Sequence, residues 1–159
     1  KSNPKASKDF YDRVLKPAEE RMLAVRLHDI DEGTEVIVAS FHAAPLTALK
    51  SLRRHQIKAA LTALSDLGEG VPLLMVGDYN YPVFKDGLHA HVKEAGFELS
   101  LSDRRTYTRY KFFRGHFDFA TSVGFDIGSV RTLARGTSDH LPILLSARYT
   151  DELAGVVAA

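Results

Sequence analysis

Pro72-Leu73-Leu74-Met75-Val76-Gly77-Asp78-Tyr79-Asn80 is the stretch from which the rest of the chain is best read. Leu73 to Val76 is apolar without a polar alternate, the pattern of a short strand buried on both faces rather than one. The run then breaks into Gly-Asp-Tyr-Asn. The missing side chain at Gly77 permits close backbone approach, and Asp78 and Asn80, two residues apart, face the same way if the chain stays extended. Polar residues directly after a buried strand sit at the rim of its sheet, so this segment is expected to deliver a carboxylate and an amide to one sheet edge.

On its N-terminal side, Leu49, Leu52, Ile57, Ala60, Leu61 and Leu64 recur near a 3.6-residue period, which predicts a helix over 47–67 stopped by Gly68. Earlier still, 22–28 and 36–41 are rich in β-formers and flank Asp29-Ile30-Asp31-Glu32-Gly33, a turn sequence, giving a hairpin whose second strand ends at His42. C-terminal to the central run, 84–95 closed by Gly96 reads as a second helix, and a loop-rich stretch follows through Arg109. Strands are then predicted over 116–121, 125–133 and 141–149. The expected order is β-β-α-β-α-β-β-β within a domain over 21–150. Residues 1–20 form a polar lead-in with a short helix near Asp9 to Leu15, and 151–159 a tail.

A chain of 159 residues fits one α/β domain, and 45% hydrophobic with 26% charged residues is ordinary globular composition. The net charge of +1, from 21 basic and 20 acidic side chains, excludes a global field for polyanions, so any phosphate site has to be local. With no cysteine, disulfides, thiolate metal sites and thiol catalysis are excluded, leaving oxygen and imidazole as ligands. The longest apolar runs fall far short of the roughly 18 residues that span a bilayer, so no membrane span is expected. The compartment is left open, with a soluble, cytoplasmic protein as the expectation.

The chemistry concentrates in four clusters, each beside a predicted strand: Ser40-Phe41-His42, Gly77-Asp78-Tyr79-Asn80, His116-Phe117-Asp118-Phe119 and Ser138-Asp139-His140-Leu141-Pro142. In the third, alternation puts His116 and Asp118 on one face and the phenylalanines on the other. In the fourth, a hard-cation ligand stands next to a group that titrates near neutrality. Phosphoester hydrolysis needs an aligned water, a cation to offset phosphoryl charge and a stabiliser for the departing oxygen, and these clusters hold a candidate for each. Taken singly, each cluster also reads as turn chemistry or a strand cap; the combination is what points to a site.

In order and spacing, a strand ending in x-x-His, a helix, strand-Gly-Asp-Tyr-Asn, x-Asp-Phe and a late Ser-Asp-His-Leu-Pro resemble the endonuclease/exonuclease/phosphatase superfamily, from about Met22 to Tyr149. The resemblance implies a DNase I-like layered β-sandwich flanked by helices, of which this chain would be about the C-terminal half. It implies a phosphoester hydrolase using Mg²⁺ or Mn²⁺, with a nuclease or related phosphodiesterase as the leading expectation. A phosphatase on inositol phosphates, a sphingomyelinase-like enzyme and a non-catalytic binding domain are the alternatives. Position by position, Asp78 would orient or deprotonate the attacking water and Asn80 would hold it and the phosphate. Asp139 would be the metal-site carboxylate, His140 would contact the phosphate with its ring oriented by Asp118, and His42 would stabilise the leaving group.

Ser40, Tyr79 and His116 depart from the commoner Asn or Thr, Phe and Arg of that pattern, and none of these departures removes a catalytic group. The family's metal-binding Glu and the Asn of its first strand have no counterpart, because Glu19-Glu20 lies too close to the following strand. The expectation is therefore a fragment whose partners are an upstream half of the same domain and a phosphoester substrate, nucleic acid among the candidates. Arg53-Arg54, and Arg104-Arg105 with Arg109, Tyr107 and Tyr110, offer cations for a phosphate backbone and aromatics to stack on bases, with solvated surface charge as the competing reading. Arg104, Arg105 and Arg109 lie in the loop leading to Asp118 and are the residues expected to bind substrate.

Overall fold

In the computed structural model, which describes residues 21–81, 85–107 and 116–150, the apolar run at 73–76 becomes the middle of a sheet. The strands are β1 (Met22–Asp29), β2 (Thr34–His42), β3 (Leu73–Asp78), β4 (Glu98–Leu101), β5 (Asp118–Val123), β6 (Phe125–Thr132) and β7 (Ile143–Tyr149). Two helices lie between them, α1 (Lys50–Leu67) and α2 (Lys85–Glu94). Five strands form one sheet in the order β1-β2-β3-β5-β4, and β6 pairs with β7 in a separate two-stranded sheet. β2 and β3 run parallel across the α1 crossover, while the other pairs are antiparallel.

Period-2 alternation sorts the side chains into two cores. Ile37, Ala39 and Phe41 of β2, Leu73 and Met75 of β3 and Phe119 of β5 pack with Ile57, Ala60, Leu61 and Leu64 of α1 and Leu88 and Val92 of α2. The intervening Val36, Leu74 and Ala120 join Phe125 on the opposite side, with Val38, Val76, Ile127, Leu145 and Tyr149 packed against them. The central sheet is thus covered by helices on one face and by β6–β7 on the other, which is why its middle strand carries no polar alternate. This is the expected layered arrangement of two sheets and flanking helices.

Gly77 is required by the parallel register. It lies opposite Phe41, and a Cβ there would run into the Phe41 carbonyl oxygen. Tyr79, just beyond β3, turns back into the core. Its ring stacks on Phe119 at 3.9 Å, and its buried hydroxyl lies 2.9 Å from Thr121 Oγ1 and donates to the Met75 carbonyl at 3.1 Å.

The expected order needs one added strand, β4, within the stretch read as loop. It is a short edge strand, Glu-Leu-Ser-Leu, whose alternation is too brief to stand out, and it is held by pairing with β5. Helix α1 starts at Lys50 rather than Thr47, because Leu49 is still extended and 45–48 forms a turn with Ala48 N–H donating to the Pro45 carbonyl. β5 starts at Asp118 rather than His116, since the Phe117 backbone is engaged elsewhere: its N–H donates to Thr106 Oγ1 and its carbonyl accepts from Tyr79 N–H. The lead-in 1–20 and the tail 151–159 lie outside the described residues.

Candidate active site

The register places three of the four clusters on one rung. His42 at the end of β2 is paired with Asp78 of β3, and Asp78 is paired in turn with Asp118 at the start of β5. Three neighbouring strands therefore present imidazole, carboxylate and carboxylate side by side at the same end of the sheet. His42 Nε2 lies 3.6 Å from Asp78 Oδ2. The chain then bends sharply at Asn80, whose φ of 46° is the left-handed conformation that asparagine tolerates better than most residues. This bend lets the Asn80 backbone N–H donate to Asp78 Oδ1 at 2.8 Å. Its amide donates to Asp78 Oδ2 at 3.1 Å and to the Ala43 carbonyl at 3.2 Å.

His140 arrives from the loop preceding β7. The Ser138 hydroxyl accepts from the His140 N–H at 3.1 Å, the local turn that serine supports, and His140 forms an isolated antiparallel bridge with Tyr107. Its Nδ1 lies 2.7 Å from Asp118 Oδ2 and its Nε2 lies 3.8 Å from Asp78 Oδ2. An ionised carboxylate only accepts hydrogen bonds, so Nδ1 carries the proton given to Asp118, and Nε2 faces the centre of the cluster.

Thr106 fixes this geometry from behind. Its fully buried hydroxyl accepts from Phe117 N–H at 3.2 Å and Asp118 N–H at 3.1 Å, while its carbonyl accepts from Leu141 N–H at 2.8 Å. One residue thus ties the start of β5 to the His140 loop. Thr106 was not expected as a site residue, and nothing in a lone threonine within a polar loop signals the role; Tyr107 was expected only as an aromatic beside Arg104 and Arg105 that could stack on bases.

The electrostatics follow from partial burial. Burial pushes the Asp78 carboxyl above the ordinary carboxylate range and the nearby Asp118 charge adds to this, against the opposing pull of the Asn80 N–H, His140 and His42. The hydrogen bond to Asp118 holds His140 above the ordinary histidine range, against desolvation, and the charges of Asp118, Asp78 and Asp139 act in the same direction.

Asp78, Asp118 and His140 each offer a ligand atom within 4.8 Å of the others. Two carboxylates with one imidazole form an oxygen-dominated donor set that suits a hard divalent cation. Asp139 is partly buried beside His140 but does not belong to that convergent trio. Next to the cluster opens a cleft of about 420 Å³ lined by Asn80 and His140 of the cluster together with Pro45, Leu46, Thr47, Tyr107 and Phe117.

No family model matches the sequence, and no curated protein does. Solved structures do match. The chain superimposes on an endonuclease/exonuclease/phosphatase family protein from Bacteroides thetaiotaomicron with a TM-score of 0.66 at 16% identity, over 81% of this chain and 55% of that one. This is the endonuclease/exonuclease/phosphatase fold. A mannosyl-6-phosphatase from the same organism shares the fold at TM-score 0.66 and 18% identity, over 80% of this chain and 57% of that one. The human Nocturnin catalytic domain, solved with a bound sulfate anion, shares it at 0.63 and 18%, over 81% and 53%. The chain therefore spans little more than half the length of these structures.

Within this fold, His42, Asp78, Asn80, Asp118 and His140 are brought together as the sequence led one to expect, with Asp139 alongside. Arg104 and Arg105 are exposed just before Thr106 and are not among the residues lining the cleft; Arg109 lies outside the described residues. Arg53 corrects both readings offered for it. It is only 5% exposed, and its Nη1 donates to the Pro45 carbonyl at 2.9 Å and the Ala48 carbonyl at 2.6 Å, so it pins the turn ahead of α1 instead of gripping a phosphate or resting in solvent. Gln56, equally buried, accepts from Ala44 N–H at 2.9 Å and holds the same segment.

Proposed function

We propose that this chain carries the phosphate-handling centre of a divalent-metal-dependent phosphoester hydrolase, most directly a phosphodiesterase of the nuclease type. The single observation behind the proposal is the rung His42–Asp78–Asp118 closed by the 2.7 Å contact between His140 and Asp118.

Asp78 acts as the base that takes a proton from the attacking water, and a carboxyl raised by burial is a better base than an ordinary one. Asn80, fixed on both Asp78 oxygens, orients that water and a phosphoryl oxygen. His140, biased toward imidazolium by Asp118, donates from Nε2 to the phosphoryl group. His42 faces the departing oxygen. Water oxygen bonds to phosphorus as the ester P–O bond breaks, and the leaving oxygen takes up a proton. Mg²⁺ or Mn²⁺, held by Asp78 and Asp118 with Asp139 alongside, would supply charge neutralisation on the phosphoryl oxygens.

The reading includes a metal-binding glutamate contributed from outside these 159 residues. It is supported by the share of the neighbours' length that the chain spans and by the row Leu23, Val25 and Leu27, which leaves β1 apolar and exposed. Arg104 and Arg105, exposed just before Thr106, serve as cations for a polyanionic substrate, with Arg109 of the same basic stretch of sequence. Replacing all three with Ala should raise KM on an oligonucleotide more than it lowers kcat.

The test is hydrolysis of a simple phosphodiester by the full-length protein with Mg²⁺. Asp78→Asn and His140→Ala should each lower kcat by about 10² to 10⁴ with circular dichroism unchanged, the scale of general acid–base and phosphate-contact losses. A parent inactive on diesters, monoesters and lipid head groups alike would leave a binding domain in place of an enzyme.

A further inference from the structure

The cleft beside His140 has a composition that the phosphate cluster does not require. Its polar lining is Asn80 and His140, both of the phosphate centre, with Thr47, and the rest is Pro45, Leu46 and the rings of Tyr107 and Phe117. Among the described residues lining it, none is Lys, Arg, Asp or Glu. The rings form a fixed edge-to-face set: Tyr107 meets Phe117 at 5.3 Å and 64°, and meets His140 at 5.1 Å and 63°. The opposite wall is equally rigid, because the carbonyl of Pro45 and the N–H of Ala44 are held from α1 by buried Arg53 and Gln56. At about 420 Å³ the space is that of a pocket taking a whole small-molecule moiety, not one water or ion.

We infer that this cleft binds an uncharged, ring-bearing group carried by the phosphoester, adjacent to the reacting phosphorus, and that Tyr107 and Leu46 set that preference. The inference rests on the phosphoester reading above and narrows its substrate class. A second phosphate would enter a space whose one cationic side chain among the described lining residues, His140, already serves the scissile phosphate, and would lose its hydration without a further charged partner. A ring loses only apolar hydration and gains the edge-to-face surface of Tyr107 and Phe117. Substrates with phosphates crowded around the scissile one are thereby disfavoured relative to esters of a nucleoside or another ring-bearing alcohol.

The experiment measures binding to the full chain with Mg²⁺ by calorimetry, using phenylphosphonate, methylphosphonate and methylenebisphosphonate, none of which presents a cleavable ester. Phenylphosphonate should bind about tenfold more tightly than methylphosphonate, the scale of burying one ring face. Tyr107→Ala should bring that ratio toward one, and Leu46→Arg should reverse the order in favour of methylenebisphosphonate.

Equal binding of phenyl- and methylphosphonate, with both lost in His140→Ala, overturns the cleft assignment while leaving the hydrolase reading in place. A preference for methylenebisphosphonate in the parent protein overturns the assignment too. Binding of none of the three removes both. A phenyl preference abolished by Tyr107→Ala in a protein that hydrolyses no ester supports the cleft and sinks the hydrolase.

Discussion

At Asp78, burial, which raises its proton affinity, works against hydrogen bonds and imidazoles, which lower it, and the site depends on burial prevailing without removing the charge. The residues that set this balance differ in how visible they are in sequence. Asp78 and Asn80 are legible because they follow an apolar run at a two-residue spacing, and His140 because it follows Ser138-Asp139 in a turn-forming context. Thr106 is not legible, since its role depends on two backbone N–H groups more than ten residues downstream. Thr106→Val keeps the shape and leaves both N–H groups without their acceptor. It should cost about 2 kcal/mol in urea unfolding, the usual penalty for orphaned buried donors, and should lower activity further by loosening Asp118. Unchanged stability would mean that Thr106 does not position the cluster. Arg53 shows the opposite failure: an Arg-Arg pair at a helix start looks like surface charge, and only the turn ahead of α1 reveals that its first member is buried against two carbonyls.

Among the elements, β3 carries most of the information. Its uninterrupted apolar run identified a strand covered on both faces, and its parallel pairing with β2 makes Gly77 indispensable. Gly77→Ala should destabilise by about 3 kcal/mol in chemical denaturation, because the obstruction is the Phe41 backbone and cannot rotate away. A loss under about 1 kcal/mol would contradict that tight register. The same strand shows why element ends read poorly. The exits of β2 and β3 and the entry to β5 are set by side chains and backbone from distant segments, as at Phe117, and β4 is too short to show a period. Periodicity reports the face an element buries and is silent about where a neighbour's hydroxyl ends it.

Over the whole molecule, the two sheets are joined by packing and by the Tyr149 hydroxyl, which donates to Asp29 Oδ2 at 2.9 Å and so links β7 to the end of β1. Desolvation and that hydrogen bond push the Tyr149 phenol up to about 12. A folded-state value above the unfolded one means the contribution is complete below the ordinary tyrosine value and is lost as pH rises from about 10 toward about 12. Asp29, lowered by the Glu32 N–H and then by Tyr149, contributes in full above the ordinary carboxylate value and loses its share below it, as pH falls through its lowered value. The stability difference between the protein and Tyr149→Phe should therefore be flat from mildly acidic pH to about pH 9 and shrink above pH 10; a difference that does not change with pH would contradict the link. Among the described residues no helix is long and apolar enough to cross a membrane.

The central claim, that Asp78, Asp118 and His140 form one cation- and phosphate-handling centre, is tested most directly by titrating Mn²⁺ into the ¹⁵N-labelled full chain. Paramagnetic broadening should begin at residues 78–80, 118 and 138–140 and should be lost in Asp78→Asn/Asp118→Asn. Broadening that begins at the acidic turn 29–32, or that survives the double substitution, would contradict it.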